Sequence, residues 1–274
     1  MTPAPARAGL LRQELGLVSC LWKRELLRVS RERARWIGAL AQPLFFWLIL
    51  GSGMASSFHV PGHESVSALT YFFPGMLVMI ILFTTIFGTI SVIEDRQQGF
   101  LQSVLVAPGS RVALVCGKVL GVTTLVAVQI AMFLVLAPAA GFVARDIRWG
   151  SLALVCVVAA IGLTAMNFTV AWLIDSVAGY HAIMGVVLIP LWFLSGAMFP
   201  PPGGFLGQLM RLNPLTYATD GLRAALSPDS LGAPGASMPV VIIVLSLYSV
   251  VTIAVASLAC RRRADPRQRK ARPS

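Results

Sequence analysis

Six stretches of the 274-residue chain run free of Asp, Glu, Lys and Arg for long enough to cross a bilayer: 36–63, 65–93, 119–144, 149–174, 176–210 and 230–260. A helix needs about 20 mostly apolar residues to traverse the roughly 30 Å hydrocarbon core. The next longest run, 97–110, is too short to span. Trimming by hydrophobicity and by Pro/Gly breaks predicts helices near 36–56, 69–93, 114–137, 150–174, 179–199 and 238–260. No period-2 alternation runs through these segments, which disfavours a β-barrel. The expected fold class is therefore all-α, a polytopic membrane protein with six transmembrane helices. It divides into a cytoplasmic N-terminal segment (1–35), the six-helix domain (36–260) and a basic cytoplasmic tail (261–274). The domain carries an inner loop at 94–111 and a broken outer helical hairpin at 199–232.

In the N-terminal segment Leu11, Leu15, Val18, Trp22, Leu26 and Val29 recur at steps of three or four. That spacing gives one apolar helical face. Arg12, Lys23, Arg24, Arg28 and Arg31 cover much of the rest, as on an amphipathic helix lying on an anionic inner leaflet. The segment is too polar for a signal peptide and no small-residue cleavage site follows.

Composition supports the membrane reading. Hydrophobic residues make up 57% of the chain and charged ones 12%, with a mean hydropathy of +0.79, whereas soluble domains carry about twice that charge. The net charge of +11 does not point to nucleic acid, because the basic residues gather at the two ends and in one loop. With the N-terminus inside, 18 Lys and Arg face the cytoplasm and four (Arg145, Arg148, Arg211, Arg223) face outward. The positive-inside rule then places both termini in the cytoplasm.

Enzymatic signatures are missing. The chain has no GxxxxGK[ST] loop to cradle ATP phosphates and no HExxH. His181 and Ser195 lie on one predicted span about 21 Å apart at 1.5 Å per residue, too far for proton transfer in a serine protease. Cys20, Cys116, Cys156 and Cys260 form no CxxC pair, and the HxxxH of His59 and His63 falls in a loop with Pro61 and Gly62. No catalytic residue, metal site or cofactor is expected. The span cores hold no ionisable group, which disfavours an ion-coupled secondary transporter or an intramembrane enzyme. A membrane scaffold is the third alternative. The aromatic and Met-rich stretches (Phe45, Phe46, Trp47, Phe72, Phe73, Met76, Met79, Phe83, Phe87) suit lipid contact, helix packing or the lining of a pathway.

Two segments carry more information. The inner loop reads EDRQQGFLQSVLVAPGSR, followed by VALVCGKVLG. Phe100, Leu101, Val104 and Leu105 would share one face of a short helix that Pro108 and Gly109 end. Such a face needs lipid or a hydrophobic groove on a soluble partner. After span five, SGAMFPPPGGFLGQLMRLNPLTYATDGLRAAL breaks with prolines and glycines and then mixes apolar and polar residues. That pattern suits a hairpin dipping into the outer leaflet, where irregular backbone must be covered. Asp220 and Arg223, at i and i+3, are placed to pair on a helix.

The EDRQQGFLQSVLVAPGSR…GK loop, followed by LSGAMFPP and RLNPLTYATDGLR, resembles the permease subunit of type-2 (ABC-2) ATP-binding-cassette exporters. The likeness is strongest to the branch of nodulation-factor and daunorubicin-resistance permeases, and it covers nearly the whole chain. It implies a permease that forms the translocation pathway as a dimer, a homodimer by expectation. It also implies that each half couples to a separate ATPase through its first cytoplasmic loop. On this chain that coupling segment contains Glu94, Gly99, Phe100, Leu101, Val104, Leu105 and Pro108. The outer-hairpin motif contains Asn213, Pro214, Tyr217, Asp220 and Arg223. The chain has Phe100 and Gln102 where the family usually has Thr and Glu.

Overall fold

A computed structural model describes residues 7–30, 33–54, 66–100, 110–199, 204–226 and 235–263. Among these the chain is all-α, with no strand. The helices are α1 (Arg7–Ser30), α2 (Arg33–Gly53), α3 (Ala68–Gln97), α4 (Arg111–Leu134), α5 (Trp149–Leu173), α6 (Val177–Phe193), α7 (Phe205–Arg211), α8 (Pro214–Leu226) and α9 (Met238–Arg263), with a 3-10 turn at Ala137–Ala140. Among the described residues four helices are long and apolar enough to cross a membrane: α3, α4, α5 and α9. Two further apolar stretches, Gly38–Gly53 of α2 and Val177–Phe193 of α6, are shorter.

Helix starts follow side-chain chemistry. Ser67, Ser110 and Ser176 each accept a hydrogen bond from the backbone N–H three residues on, at 3.1, 3.0 and 3.0 Å. This satisfies one of the donors that a helix N-terminus leaves open. α6 ends at Phe193 rather than near 199 as the apolar run predicts. Pro190 supplies no N–H to the last turn, and the chain then turns through Gly196 at φ 76°. Hydropathy continues through that turn, but the hydrogen-bond ladder does not.

α3 is the axis of the bundle, buried along nearly its whole length. α4, α5 and α8 pack around it, whereas α2 and α6 each rest chiefly on α3 alone. α9 packs on α5 and turns Ile243, Leu247 and Val250 outward, each more than 60% exposed. A continuous outer surface of this kind suits hydrocarbon rather than water.

Because lipid tails are as apolar as leucine, close packing and internal polar bonds hold such a bundle together. Both occur along α3. Its Thr84 donates to Gln129 of α4, and its Thr85 accepts from Asn167 of α5 at 2.9 Å. One turn further on, Thr89 bonds the Tyr180 hydroxyl of α6 at 2.7 Å. One helix is thus tethered by three successive polar contacts to three neighbours.

α1 docks on α4 through Gly117 and Gly121. A Cβ at Gly117 would stand 2.8 Å from the Leu21 Cβ, and one at Gly121 would stand 2.7 Å from the Glu25 Cβ. Only glycine lets the two helices approach this closely. The protein-facing side of α1 therefore runs through Leu17, Leu21 and Glu25. Leu15, placed by its spacing on the apolar face, is 68% exposed.

Candidate functional site

At the C-terminal end of α3, four consecutive residues are each anchored to other elements, Glu94 and Asp95 sharing Arg28, and Arg96 and Gln97 sharing Asp175. Glu94 pairs with Arg28. Asp95, 2% exposed, accepts both Arg24 guanidinium nitrogens at 2.6 and 2.9 Å, Arg28 at 3.2 Å and Lys118 at 3.3 Å. Arg96 crosses to the end of α5, where it donates to the carbonyls of Trp172 (2.6 Å), Ala171 (3.2 Å) and Ile174 and pairs with Asp175 at 3.5 Å. Gln97 donates to the Asp175 carbonyl at 3.0 Å. A cation at a helix C-terminus satisfies open carbonyls and complements the helix dipole.

Lys118 of α4 closes the cluster. Its Nζ lies 2.6 Å from Glu25, which is 1% exposed and also accepts from Ser91 Oγ at 3.0 Å. Arg24, Arg28 and Lys118 thus face Glu25, Glu94 and Asp95, three cations against three carboxylates. Desolvating charge costs several kcal/mol per ion, and this balance with near-complete hydrogen bonding offsets it. The Asp95 carboxylate holds the Arg24 guanidinium still further above its ordinary range. This corrects one expectation: Arg24 and Arg28, assigned to the lipid-facing cationic side of α1, turn inward onto Asp95 and Glu94.

α1 also reaches the described residues on both flanks of the 101–109 segment. α3 stops at Gln98 and Gly99, the glycine at φ 76°, and Phe100 follows with its ring 3.7 Å beneath the Arg24 guanidinium. At the other flank the Glu14 carboxylate accepts the Ser110 N–H at 2.8 Å and its hydroxyl at 2.5 Å. Of the coupling residues expected from sequence, Glu94, Gly99 and Phe100 are therefore placed together. Leu101, Gln102, Val104, Leu105 and Pro108 lie outside the described residues.

The α7–α8 segment, expected from sequence to form an outer hairpin, is built on Asn213. Its side-chain oxygen accepts from Leu215 N at 3.0 Å, and its Nδ2 donates to the Leu191 carbonyl of α6 at 2.6 Å. Pro214 occupies the first position of α8, where no N–H is required. The Tyr217 hydroxyl donates to the Arg211 carbonyl at 2.9 Å. Between α7, α8 and the start of α9 lies a cavity of about 760 Å³, lined in part by Gln208, Arg211, Tyr217, Asp220 and Ser237.

Asp220 and Arg223 do not close on each other as their spacing suggested. Arg223, 7% exposed, donates Nη2 to the Gly196 carbonyl at 2.7 Å and stacks over the Tyr71 ring at 4.5 Å. The Asp220 carboxylate faces the backbone N–H groups of Gly235 and Ala236, leading into α9. Burial pushes the Asp220 carboxyl above the usual carboxylate range, against the opposing pull of the Arg223 charge and those two N–H groups. Each residue fastens α8 to a different neighbour. The exchange Asp220→Arg with Arg223→Asp should therefore give an unfolding temperature in detergent no higher than the worse single variant. Recovery above both singles would show a direct pair.

Sequence reasoning missed Glu14, Glu25, Asp95, Arg96, Ser110 and Lys118 as site residues. A signal existed: Lys118 sits inside GKVLG, a GxxxG pattern that brings a second helix close.

Residues 16–227 match the ABC-2 type transporter family. The chain is 28% identical over 220 residues to a putative transport permease, ycf38, of Cyanophora paradoxa, covering 77% of this chain and 74% of that one. It is 27% identical over 254 residues to nodulation protein J of Rhizobium leguminosarum bv. viciae, covering 89% and 93%. An all-helical bundle with apolar helices of spanning length and a match across most of its residues lead to one assignment: the chain belongs to the ABC-2 type transporter family of membrane transport permeases.

Proposed function

We propose that the chain is the membrane-spanning subunit of an ATP-driven exporter. It forms the translocation pathway as a dimer and is driven by a separate ATPase docked on its first cytoplasmic loop. The observation that carries this reading is the anchoring of residues 94–97. A segment leading directly into a cytoplasmic loop is fixed to α1, α4 and the α5–α6 connection at once. Force applied at the loop would reach these three elements through bonds already made, as a coupling point requires.

In this reading α2 and α6 complete six spans, both termini are cytoplasmic and the membrane is the bacterial inner membrane. The 18-to-4 distribution of Lys and Arg supports that orientation. The thin support of α2 and α6, with Phe45, Ile49 and Val186 turned outward, favours a second copy on that side. Topology reporters fused after residues 62, 147 and 230 should read outside, and those after 108 and 274 inside. A cytoplasmic signal at 147 would contradict six spans. Replacing the phosphate-binding lysine of the ATPase should stop export while the permease stays in the membrane. Undiminished export would favour a transporter that does not use ATP.

A further inference from the structure

We infer that α1 is a bracket that sets the position of both stems of the 101–109 loop, with Glu14 and Arg24 as its positioning residues. The inference rests on the proposed role of that loop in ATPase docking. Glu14 and Arg24 are ten residues apart, about 15 Å along one helix. The first holds Ser110, which opens α4, by two hydrogen bonds. The second holds Phe100, which follows the end of α3, through its ring face. One rigid element therefore touches both described residues that flank the loop.

Each end of the bracket is itself fixed. The Arg24 guanidinium lies between the Phe100 ring and the Asp95 carboxylate, so its planar group is held on two sides. Ser110 Oγ accepts from Ala113 N while the Ser110 N–H and O–H point to Glu14. The Glu14 charge thus sits at the N-terminus of α4, where the helix dipole favours an anion. Between the two contacts α1 is pressed onto α4 at Gly117 and Gly121. A shift of α1 must carry both stems with it, and a partner pulling on the loop must pull on α1.

Glu14 lies outside the buried charge cluster, so it can be altered without exposing that cluster. The test uses the full chain with its ATPase, by titrated capture of the ATPase on tagged permease in detergent. Glu14→Ala should weaken capture about tenfold, the scale of a charge-assisted hydrogen bond, with membrane abundance and unfolding temperature at wild-type values. Glu14→Gln should retain most of the capture, because its amide oxygen still accepts from Ser110. Wild-type capture by Glu14→Ala would overturn the bracket and leave the docking reading intact. Equal losses in both variants, or a fall in unfolding temperature with Glu14→Ala, would also overturn it by assigning Glu14 to stability. Failure of the wild-type chain itself to capture the ATPase would overturn the docking reading on which the bracket depends.

Discussion

Lys118→Met should remove most of the folded permease from the membrane. The substitution preserves much of the side chain's length but leaves Glu25 with only the Ser91 hydroxyl, and Asp95 with one cation fewer. Removing one partner of a buried ion pair costs about 3–5 kcal/mol. That is a large share of the roughly 5–15 kcal/mol that typically separates folded from unfolded protein. Removing both charges should cost much less. Glu25→Gln with Lys118→Met leaves two cations facing two carboxylates, and the neutral amide can still bond Ser91. The expected order of unfolding temperature in detergent is wild type, then the double variant, then Lys118→Met well below both. Equal temperatures for Lys118→Met and wild type would show that the cluster contributes nothing measurable.

The positions of the helices were legible because the bilayer imposes a length and a composition on them. Predicted spans at 69–93, 114–137 and 150–174 correspond to α3, α4 and α5 with ends shifted by a few residues. The fifth span was drawn too long because hydropathy cannot register where a backbone stops donating. Pro190, the Ser195 hydroxyl on the Trp192 carbonyl and Gly196 in the left-handed region end that helix while its side chains stay apolar.

The face of α1 was misassigned for a related reason. Hydrophobic periodicity places charged residues outward, so Arg24 and Arg28 are expected against lipid headgroups and Glu25 is given no role. Their partners, Glu94, Asp95 and Lys118, lie 66 to 93 residues away along the chain. No local spacing rule can pair charges over that separation. The hairpin shows the opposite error. Asp220 and Arg223 have the right local spacing, but Gly196, Tyr71, Gly235 and Ala236 compete more successfully for them. A short-range rule is overridden where a buried helix offers better partners in three dimensions.

The functional claim turns on the loop between Phe100 and Ser110, where helical spacing would put Leu101, Val104 and Leu105 on one apolar face with Phe100. Burying such a side chain in a protein groove is worth about 1.5–3 kcal/mol. A charge introduced there would have to be desolvated without a partner. Leu105→Asp should therefore leave the permease folded and abundant while abolishing ATPase capture and export. Aspartate alone does not distinguish a protein groove from a lipid surface, since it disturbs both. Lysine does, because its long stem can snorkel and carry the ammonium to anionic headgroups. The deciding measurement is capture of the ATPase by tagged Leu105→Lys permease, purified at wild-type membrane levels. The account predicts loss of at least about tenfold in capture, the low end of the burial energy above. Capture equal to wild type, with export intact, would contradict docking through this loop.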